Sequence, residues 1–341
     1  MPRSFLFLAL CLLASAICTQ SSAAEAPRTY KIGMCPWIAW APINVADAKG
    51  LWKKRGLDVQ VVNQLGEDTS AIEQRRVDLA IDMIGNFIGM QQKGIDITIL
   101  GELDWSNGGD KVILRDKAQP TKAGDSVGVY HNDPAVLMLL ARYLETLKLT
   151  LSDVTVVEYD PEALNGHFIT GNFSVILSYE PYSLQAEKDG GTVVATSATF
   201  AGCMPEGLGG RREAIAAIPR EDLKKIMAGW LEAVRWSQDP ANWAEYCDIV
   251  NTRTFAEPTP FDDTAIKNML ANVTIHDPLT LRTRNAIGAG LSKHVDDTRN
   301  MLNKAGLMKS EFSANTLVDT SVLLEVIQAE TKVTPATTIS R

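Results

Sequence analysis

Two successive runs of alternating strand-like and helix-like segments constrain the fold of this chain more than any other feature. In the first run, strand patterns at 29–34, 57–61, 79–83 and 95–100 are separated by helical patterns at 43–54, 69–77 and 86–92. Strands that alternate with helices predict parallel strands with crossover connections, and hence an open α/β sheet. Gly56 is the expected stop of the first helix, since glycine is favoured just past a helix end.

The same pattern restarts after Pro120. Strand patterns at 126–130, 154–157, 173–177 and 192–195 alternate with helical patterns at 134–147, 161–169 and 180–188. Two α/β units of similar size predict two lobes rather than one large sheet.

The last third of the chain has a helical pattern without an obvious sheet. One predicted helical face, with apolar residues spaced by three and four, holds Leu223, Ile226, Met227, Trp230, Leu231 and Val234. Further helices are predicted at 241–250, 264–270, 281–305 and 321–329. We expect this segment to pack on the first lobe. Lobe 1 then comprises 25–122 and 206–330, lobe 2 comprises 123–205, and 331–341 form a flexible tail.

The N-terminus indicates export. Arg3 precedes an apolar run at 5–17, and Ser22-Ala23-Ala24 is the pattern that signal peptidase cleaves. The run is shorter than the ~20 residues that span a bilayer. We therefore expect a signal peptide at 1–24 and a mature protein released into the periplasm. Lipid anchoring is not expected, because Cys11 and Cys18 each follow a bulky residue.

Charge and cysteine content narrow the classes of partner. The formal net charge is −8 for the whole chain, and the signal peptide carries only the charge of Arg3. An acidic chain without a basic run argues against binding to nucleic acid or to anionic membranes. Cys35, Cys203 and Cys247 remain after cleavage. One disulfide with one free thiol, and three free thiols, are both compatible with their spacing.

Candidate ligand-binding residues follow the predicted strands, because ligands of open α/β sheets bind beyond the C-terminal ends of the strands. In the first unit these residues are Trp37, Trp40, Asn86 and Asp104. Each has a structural alternative: the tryptophans as core, Asn86 as a helix cap, and Asp104 as an acceptor for its own turn. Gly85 is expected to let a ligand approach the backbone.

In the second unit the candidates are Tyr130, Asn132 and Glu180. Asp133 and Pro134 form a predicted helix start, which leaves Tyr130 and Asn132 available to face a cleft. Glu180 lies between two tyrosines after another strand. No metal site is predicted, since the carboxylates are dispersed along the chain.

Several segments resemble the taurine, sulfonate and nitrate type of ABC transporter solute-binding proteins. They are "INVADAKGLWKKRGLDVQVV" at 43–62, "RRVDLAI" at 75–81, "ITILGELDWSNGGDKVIL" at 97–114 and "YEPYSLQAEKDGGTVV" at 179–194. The resemblance covers roughly residues 29 to 200. It implies a type II periplasmic-binding (Venus-flytrap) fold, with two α/β lobes that close by a hinge and an extra C-terminal helical segment here.

The resemblance also implies a function. It is the capture of a small polar solute by a monomer without cofactors, and its delivery to an ABC permease with a cytoplasmic ATPase. The implied ligand-binding positions are Trp37, Trp40, Asn86 and Tyr130, with Asp104 and Glu180 as further candidates. In the family, the Glu-Pro-Tyr motif occurs whatever the ligand, so Glu180 has a structural alternative.

The solute is expected to contain nitrogen or sulfur, and either a taurine- or sulfonate-like or an amine-, guanidinium- or pyrimidine-like compound fits. The candidate loops carry aromatic rings and carboxylates but no Arg or Lys, with only Lys111 nearby. Cation–π contact beside a carboxylate favours an amine-bearing or guanidinium-like solute, or taurine, over nitrate. Two alternatives remain: a periplasmic ligand sensor, and an enzyme similar to thiamine-pyrimidine synthase, whose cysteine-rich motif this chain lacks.

Overall fold

The computed structural model describes residues 28–63 and 68–333. The predicted signal peptide and residues 334–341 of the predicted tail lie outside these ranges. Residues 331–333 of that tail continue the last helix, which ends at Val333. Within the described ranges, no helix has the length and apolar character needed to cross a bilayer.

The strands, in chain order, are β1 (Thr29–Met34), β2 (Asp58–Asn63), β3 (Leu79–Met83), β4 (Ile97–Ser106), β5 (Asp110–Leu114), β6 (Ser126–Val129), β7 (Thr155–Glu158), β8 (Val175–Tyr179), β9 (Thr192–Thr196), β10 (Pro205–Arg211) and β11 (Val273–Ile275).

The helices before the C-terminal segment are α1 (Ala41–Ala48), α2 (Asp68–Glu73), α3 (Ile84–Gln92), α4 (Pro134–Thr146), α5 (Pro161–Thr170) and α6 (Ser183–Lys188). The later helices are α7 (Arg212–Ala216), α8 (Arg220–Gln238), α9 (Trp243–Ile249), α10 (Asp263–Ala271), α11 (Pro278–Asn285), α12 (Gly290–Lys304), α13 (Ala314–Leu317) and α14 (Ser321–Val333).

Two mixed sheets form the centres of two lobes, as the sequence predicts. The first sheet, the centre of lobe 1, has the order β11-β4-β10-β3-β1-β2, and the second, the centre of lobe 2, has the order β7-β6-β8-β5-β9. The strands β1, β2 and β3 are parallel to one another, as are β6, β7 and β8. Two strands that were not predicted from the sequence, β5 and β10, run antiparallel to their neighbours and make the sheets mixed.

Strand β10 was missed by the sequence analysis, although it lies in the middle of the first sheet. Its sequence, PEGLGGR, has too few apolar side chains to give a strand pattern. The glycines have a packing role, because a Cβ at Gly207 would overlap the carbonyl oxygen of Gly101 on β4. The chain therefore returns from the second sheet and inserts between β3 and β4.

Strand β5 was also missed, and it belongs to the second sheet, whereas the predicted boundary placed residues 110–114 in lobe 1. The chain passes between the sheets at Asn107–Gly109 and again at 197–204. Hydrogen bonds hold these connections. The carbonyl of Asn272 accepts from the backbone N–H of Asn107 and of Gly109 at 2.8 and 3.1 Å, and the Ser197 hydroxyl accepts from the Gly108 N–H at 2.7 Å.

The C-terminal helices cover lobe 1. Helix α8 packs against α1 and α14, and its apolar face joins the core that contains β1 and α1. The predicted single helix at 281–305 is two helices, because the chain turns at 286–289 with Gly288 in the left-handed region (φ 71°). The first predicted helix likewise ends early, at Ala48, before Gly50 in the same region (φ 62°).

Helices α3 and α4 pack against each other across the two lobes. A Cβ at Gly85 of α3 would overlap the backbone of Ala135 in α4. The close approach that Gly85 permits is therefore between the lobes, and not the approach of a ligand that the sequence analysis expected. Asp133 caps α4 as predicted, since its carboxylate accepts from the N–H groups of Ala135 and Val136 and Pro134 follows it.

Candidate functional site

A cavity of about 380 Å³ lies between the two lobes. The C-terminal ends of parallel strands from both sheets meet at its wall: β1 and β3 from lobe 1, and β6, β7 and β8 from lobe 2. This is the edge at which open α/β sheets bind ligands. The volume lies within the ~300–1,000 Å³ typical of small-molecule sites.

The wall consists mainly of carboxyl groups and aromatic rings. The carboxyl groups belong to Asp82, Asp110, Glu158, Asp160, Glu162 and Glu206. The aromatic rings belong to Trp37, Trp40, Tyr130, Tyr179 and Tyr182. The remaining lining residues are Cys35, Pro36, Met83, Asn86, His131 and Pro161.

Two tryptophans and one glutamate form the centre of the lobe 1 wall. Trp37 and Trp40 follow β1, and a 3-10 turn at Ile38–Trp40 brings their side chains together. Both indole N–H groups donate to the same oxygen of Glu206, each at 2.7 Å. All three side chains are buried. The two tryptophans were expected to be either ligand-binding residues or core residues. They are buried in the core of lobe 1 and also line the cavity.

Glu206 is paired with a second buried carboxyl group. It lies directly opposite Asp104 in the β4–β10 ladder. Burial raises the pKa of both groups, and the repulsion between them raises the pKa of Glu206 well above its usual range. Both carboxyl oxygens of Asp104 lack a hydrogen-bond partner among the described residues, and protonation of Glu206 relieves the repulsion within this pair.

The start of α3 contributes Asp82 and Asn86. One carboxylate oxygen of Asp82 accepts from the backbone N–H of Met83 at 2.7 Å and from the Asn86 amide at 2.8 Å. Asn86 lies within α3 and does not cap it: the N-cap residue is Met83, and no described side chain makes a capping hydrogen bond there. Asn86 is 2% exposed, and its carbonyl oxygen has no hydrogen-bond partner among the described residues.

Asp110 is the buried carboxyl group of the lobe 2 wall. It begins β5, is 3% exposed and accepts a hydrogen bond from the Tyr130 hydroxyl. Burial raises the pKa of Asp110 to about 6, with repulsion from Asp133 and Glu180 added and hydrogen bonds from Ser106 and Tyr130 opposing it. The same burial, with the charge of Asp110, raises the pKa of Tyr130 well above its usual range.

A chain of aromatic contacts joins the two walls. Tyr179, at the end of β8, meets Trp37 of lobe 1 edge-on with ring centroids 6.1 Å apart. It also contacts Tyr130 at 4.7 Å and Tyr182 at 5.2 Å. Aromatic side chains therefore line a continuous path across the cavity.

The outer part of the lobe 2 wall carries the exposed carboxylates Glu158, Asp160 and Glu162. The His131 imidazole lies 3.0 Å from Glu158, and this hydrogen bond lowers the pKa of Glu158. Asp160 accepts from the N–H of Ala163 and caps α5.

The structure brings four of the predicted site residues to the cavity: Trp37, Trp40, Asn86 and Tyr130. Asn132 is exposed and does not line it. Asp104 lies inside β4 and not in a loop, because the strand continues to Ser106. It does not line the cavity and lies opposite Glu206 on the neighbouring strand.

Glu180 lies outside the cavity wall, where it joins the lobes. Its carboxylate pairs with Lys111 of β5 at 2.8 Å and accepts from the amide of Asn272, which follows α10, at 2.9 Å. Lys111 also pairs with Glu187 at 2.7 Å and is 8% exposed. These contacts agree with a structural role for Glu180, which was the alternative to ligand binding.

Asp110 and Glu206 were not predicted from the sequence, for one reason. The predicted site residues all follow strands taken as parallel, whereas these two lie at the start of antiparallel strands. The start of an antiparallel strand lies at the same edge as the ends of its parallel neighbours. The available signals were the Gly108-Gly109 pair before Asp110 and the acidic residue in CMPEGLGG.

The described lining residues include neither Lys nor Arg, so Lys111, the one cation that the sequence placed near the site, does not face the cavity. No group of three or more His, Cys, Asp or Glu side chains in the described chain is arranged to hold a metal ion. The described cysteines Cys35, Cys203 and Cys247 form no disulfide.

Comparison with known proteins identifies a family and a fold. Residues 23–251 match the model of the NMT1-like family. A comparison with curated proteins gives no match.

Solved structures with the same fold include three with bound or named ligands. The ligand-binding component of an ABC-type import system from Staphylococcus aureus, solved with zinc bound, is 14% identical with a TM-score of 0.67 over 88% of this chain and 99% of that chain. The alkanesulfonate-binding protein SsuA from Xanthomonas axonopodis pv. citri, bound to MOPS, is 15% identical with a TM-score of 0.66 over 87% and 99%. The nitrate-binding protein NrtA from Synechocystis PCC 6803 is 17% identical with a TM-score of 0.66 over 89% of each chain.

Proposed function

This chain belongs to the NMT1-like family, and from that premise we propose that it is the ligand-binding component of an ABC-type import system. In this proposal the exported protein captures a small polar solute containing nitrogen or sulfur in the periplasm. It then delivers the solute to a permease that works with a cytoplasmic ATPase. The observation that carries the proposal is the cavity between the lobes, at the strand ends where such folds bind ligands.

The connections between the lobes support a closing motion. The chain crosses between the sheets at Asn107–Gly109 and at 197–204, and these crossings lie beside each other through the hydrogen bond from Gly108 to Ser197. Paired connections of this kind act as a hinge when a few backbone dihedral angles change. Rotation about them would open and close the cavity.

The proposal assigns a binding role and no catalytic role. The similar structures are named for the solutes that they bind or for import. Buried carboxyl groups such as Glu206 and Asp110 here have hydrogen-bond partners that fix the wall of the cavity.

A thermal-shift screen of the mature chain, residues 25–341, tests the proposal. The panel contains taurine, alkanesulfonates, nitrate, bicarbonate, guanidine, urea, choline, thiamine-pyrimidine precursors and divalent metals. A ligand that binds only the folded state raises its stability by RT ln(1 + [L]/Kd), about 2.7 kcal/mol at a hundredfold excess over Kd. We expect one chemical class to give a dose-dependent rise in Tm.

The control is Trp40→Phe, which keeps an aromatic ring but removes one of the two donors to Glu206. We expect this variant to have nearly the Tm of the wild type without ligand, but a smaller rise in Tm when the true ligand is added. If a folded, ligand-stripped sample gives no shift with any compound, and isothermal titration calorimetry gives no heat, the proposed binding function is wrong.

A further inference from the structure

We propose that the solute is an organic cation with N–H donors, such as a primary ammonium, an amidinium or a guanidinium group, and not an anion. This inference rests on the proposed binding function and names the substrate class of the same cavity. Its basis is the one-sided charge of the wall: besides Glu206, whose burial favours the protonated form, five carboxyl groups line the cavity, and among the described lining residues none is Lys or Arg.

At two of the three helix N-termini beside the cavity, the protein's own carboxylates already accept from the first N–H groups, and at the third a carboxylate lies directly before the N-cap residue. A free helix N-terminus is the usual place for a bound anion. At α3 no described side chain caps the helix, but the Asp82 carboxylate directly precedes the N-cap residue Met83 and accepts from its N–H. Asp133 accepts from two N–H groups of α4, and Asp160 accepts from one N–H of α5. An anion would therefore meet a carboxylate close to each of these three helix starts.

The nearest buried ammonium group is also engaged. Lys111 pairs with Glu180 at 2.8 Å and with Glu187 at 2.7 Å, and it does not line the cavity. Turning it toward the cavity would leave the buried carboxylate of Glu180 without its cation, which is costly.

The aromatic residues and one unpartnered amide define the kind of cation. Five aromatic rings in the wall supply π-surfaces, which attract organic cations. The carbonyl oxygen of Asn86 is buried at the wall and has no donor among the described residues. A ligand N–H group would satisfy that oxygen, while an anion would not.

A metal ion fits the same wall poorly. In the described chain no three His, Cys, Asp or Glu side chains converge as ligands for one ion. The exposed carboxylates Glu158, Asp160 and Glu162 lie on the outer part of the lobe 2 wall, whereas Asp82 and Glu206 are buried in the lobe 1 wall. Carboxylates spread around a cavity suit a multi-atom cation better than a single ion.

Pairs of compounds that share a shape but differ in charge test the proposal. The pairs are guanidinium and nitrate, benzamidine and benzoate, and ethylammonium and ethanesulfonate, each titrated into the mature protein at millimolar concentration at pH 7.5. We expect the cation of at least one pair to bind about tenfold or more tightly than its partner. Equal or tighter binding of the anions overturns the cation proposal but leaves the binding function standing.

If no cation of these pairs binds, the cation proposal also fails. The broader thermal-shift panel then decides the binding function: a response to a neutral or anionic compound preserves it, and no response to any compound removes both. Divalent metals in that panel are a further outcome, since a shift with metal alone would replace the organic cation by a metal ion.

Charge-removing variants locate the effect. Asp110→Asn should weaken the binding of the preferred cation about tenfold. The affinity for an uncharged compound of the same shape as that cation should be nearly unchanged. Glu162→Gln, at an exposed lining position where folding is not at risk, should weaken it by a smaller factor that vanishes at high salt. Glu311→Gln, which is exposed and outside the cavity, is the matched control. Equal cation affinity in the wild type and both lining variants would contradict the proposal.

Discussion

The two walls of the cavity are built differently. In the lobe 1 wall, Trp37, Trp40 and Glu206 are buried and share two hydrogen bonds to one oxygen, and Asp82 and Asn86 are buried beside them. In the lobe 2 wall, Tyr130, Tyr179 and Tyr182 are half-buried, and Glu158, Asp160 and Glu162 are exposed. Lobe 1 therefore presents a hydrogen-bonded surface of fixed shape, while lobe 2 adds the buried Asp110 and exposed carboxylates whose charge responds to solvent and pH.

The largest effect should come from the centre of the lobe 1 wall. Glu206→Ala removes the acceptor of two buried indole N–H groups, each of which costs about 1–3 kcal/mol when left unsatisfied. We expect the free energy of unfolding to fall by about 3–5 kcal/mol in urea denaturation.

Glu206→Gln is the control for this prediction. Its amide oxygen still accepts from Trp37 and Trp40, and its NH₂ group donates to Asp104, so most of the stability should remain. If the two variants are equally destabilised, the shared acceptor is not what fixes this wall.

The second effect is the pH dependence that Asp110 gives the lobe 2 wall. Burial raises the pKa of Asp110 from 3.8 to about 6 in the folded protein. Between these values the unfolded chain ionises while the folded protein keeps its proton. Ionisation therefore favours the unfolded chain as the pH rises. The free energy of unfolding should fall by roughly 3 kcal/mol between pH 4 and pH 7 because of this group.

Urea denaturation of the wild type and Asp110→Asn at several pH values between 4.5 and 7.5 measures this contribution. Relative to the wild type, the variant should gain stability as the pH rises. Glu158→Gln provides a test of opposite sign. The hydrogen bond from His131 lowers the pKa of Glu158, so its stabilising effect is present at neutral pH and is lost in acid. Parallel pH profiles for the wild type and Asp110→Asn would show that Asp110 is not the group responsible.

The third effect concerns the contact between the two lobes. Gly85→Ala places a methyl group against the backbone of Ala135, so α3 and α4 must move apart. Overpacking of this kind costs about 1–3 kcal/mol. We also expect weaker ligand binding, because the displaced lobe 2 wall no longer meets the lobe 1 wall at the same distance.

Gly166→Ala in α5 is the matched control for the lobe contact. A Cβ there meets no atom within 4 Å, so the substitution should be neutral or slightly stabilising. Crystals or scattering profiles of Gly85→Ala that superimpose on the wild type, with unchanged ligand affinity, would show that this contact does not set the spacing of the walls.

The sequence predicted the lobes well because the strand and helix periods of both units are regular. Strand β3 and helix α4 lie within one residue of their predicted bounds, and Asp133 with Pro134 was identified as a helix start. It failed at β10, where glycines replace apolar side chains because β3 and β4 approach closely from both sides. Local periodicity carries no signal for a strand whose residues are chosen by the packing of its neighbours.

The site was predicted in part for the same physical reason. Trp37, Trp40, Asn86 and Tyr130 follow parallel strands, and the rule of strand ends finds them. Glu206 and Asp110 begin antiparallel strands, and their place at the cavity depends on the return of the chain between the lobes. That return is a property of the tertiary topology. The most strongly perturbed carboxyl groups of the wall were therefore beyond the reach of strand-by-strand reasoning.

The smallest effect should come from a single hydroxyl group in the lobe 2 wall. Tyr130→Phe keeps the ring that contacts Tyr179 at 4.7 Å but removes the hydrogen bond to Asp110. We expect a loss of about 1 kcal/mol in the free energy of unfolding. The pKa of Asp110 should rise further, because that hydrogen bond opposes the effect of burial.

Tyr143→Phe separates the cost of a lost hydrogen bond from an effect on the site. The Tyr143 hydroxyl is buried in the same lobe, 3.0 Å from the Thr121 hydroxyl and outside the cavity. Its removal should cost a similar amount of stability without changing the pH profile or the ligand affinity. If Tyr130→Phe destabilises the protein as strongly as Glu206→Ala, the lobe 2 wall is as rigid as the lobe 1 wall. The closing lobe would then bring a second fixed surface to the ligand, and not an adjustable charged one.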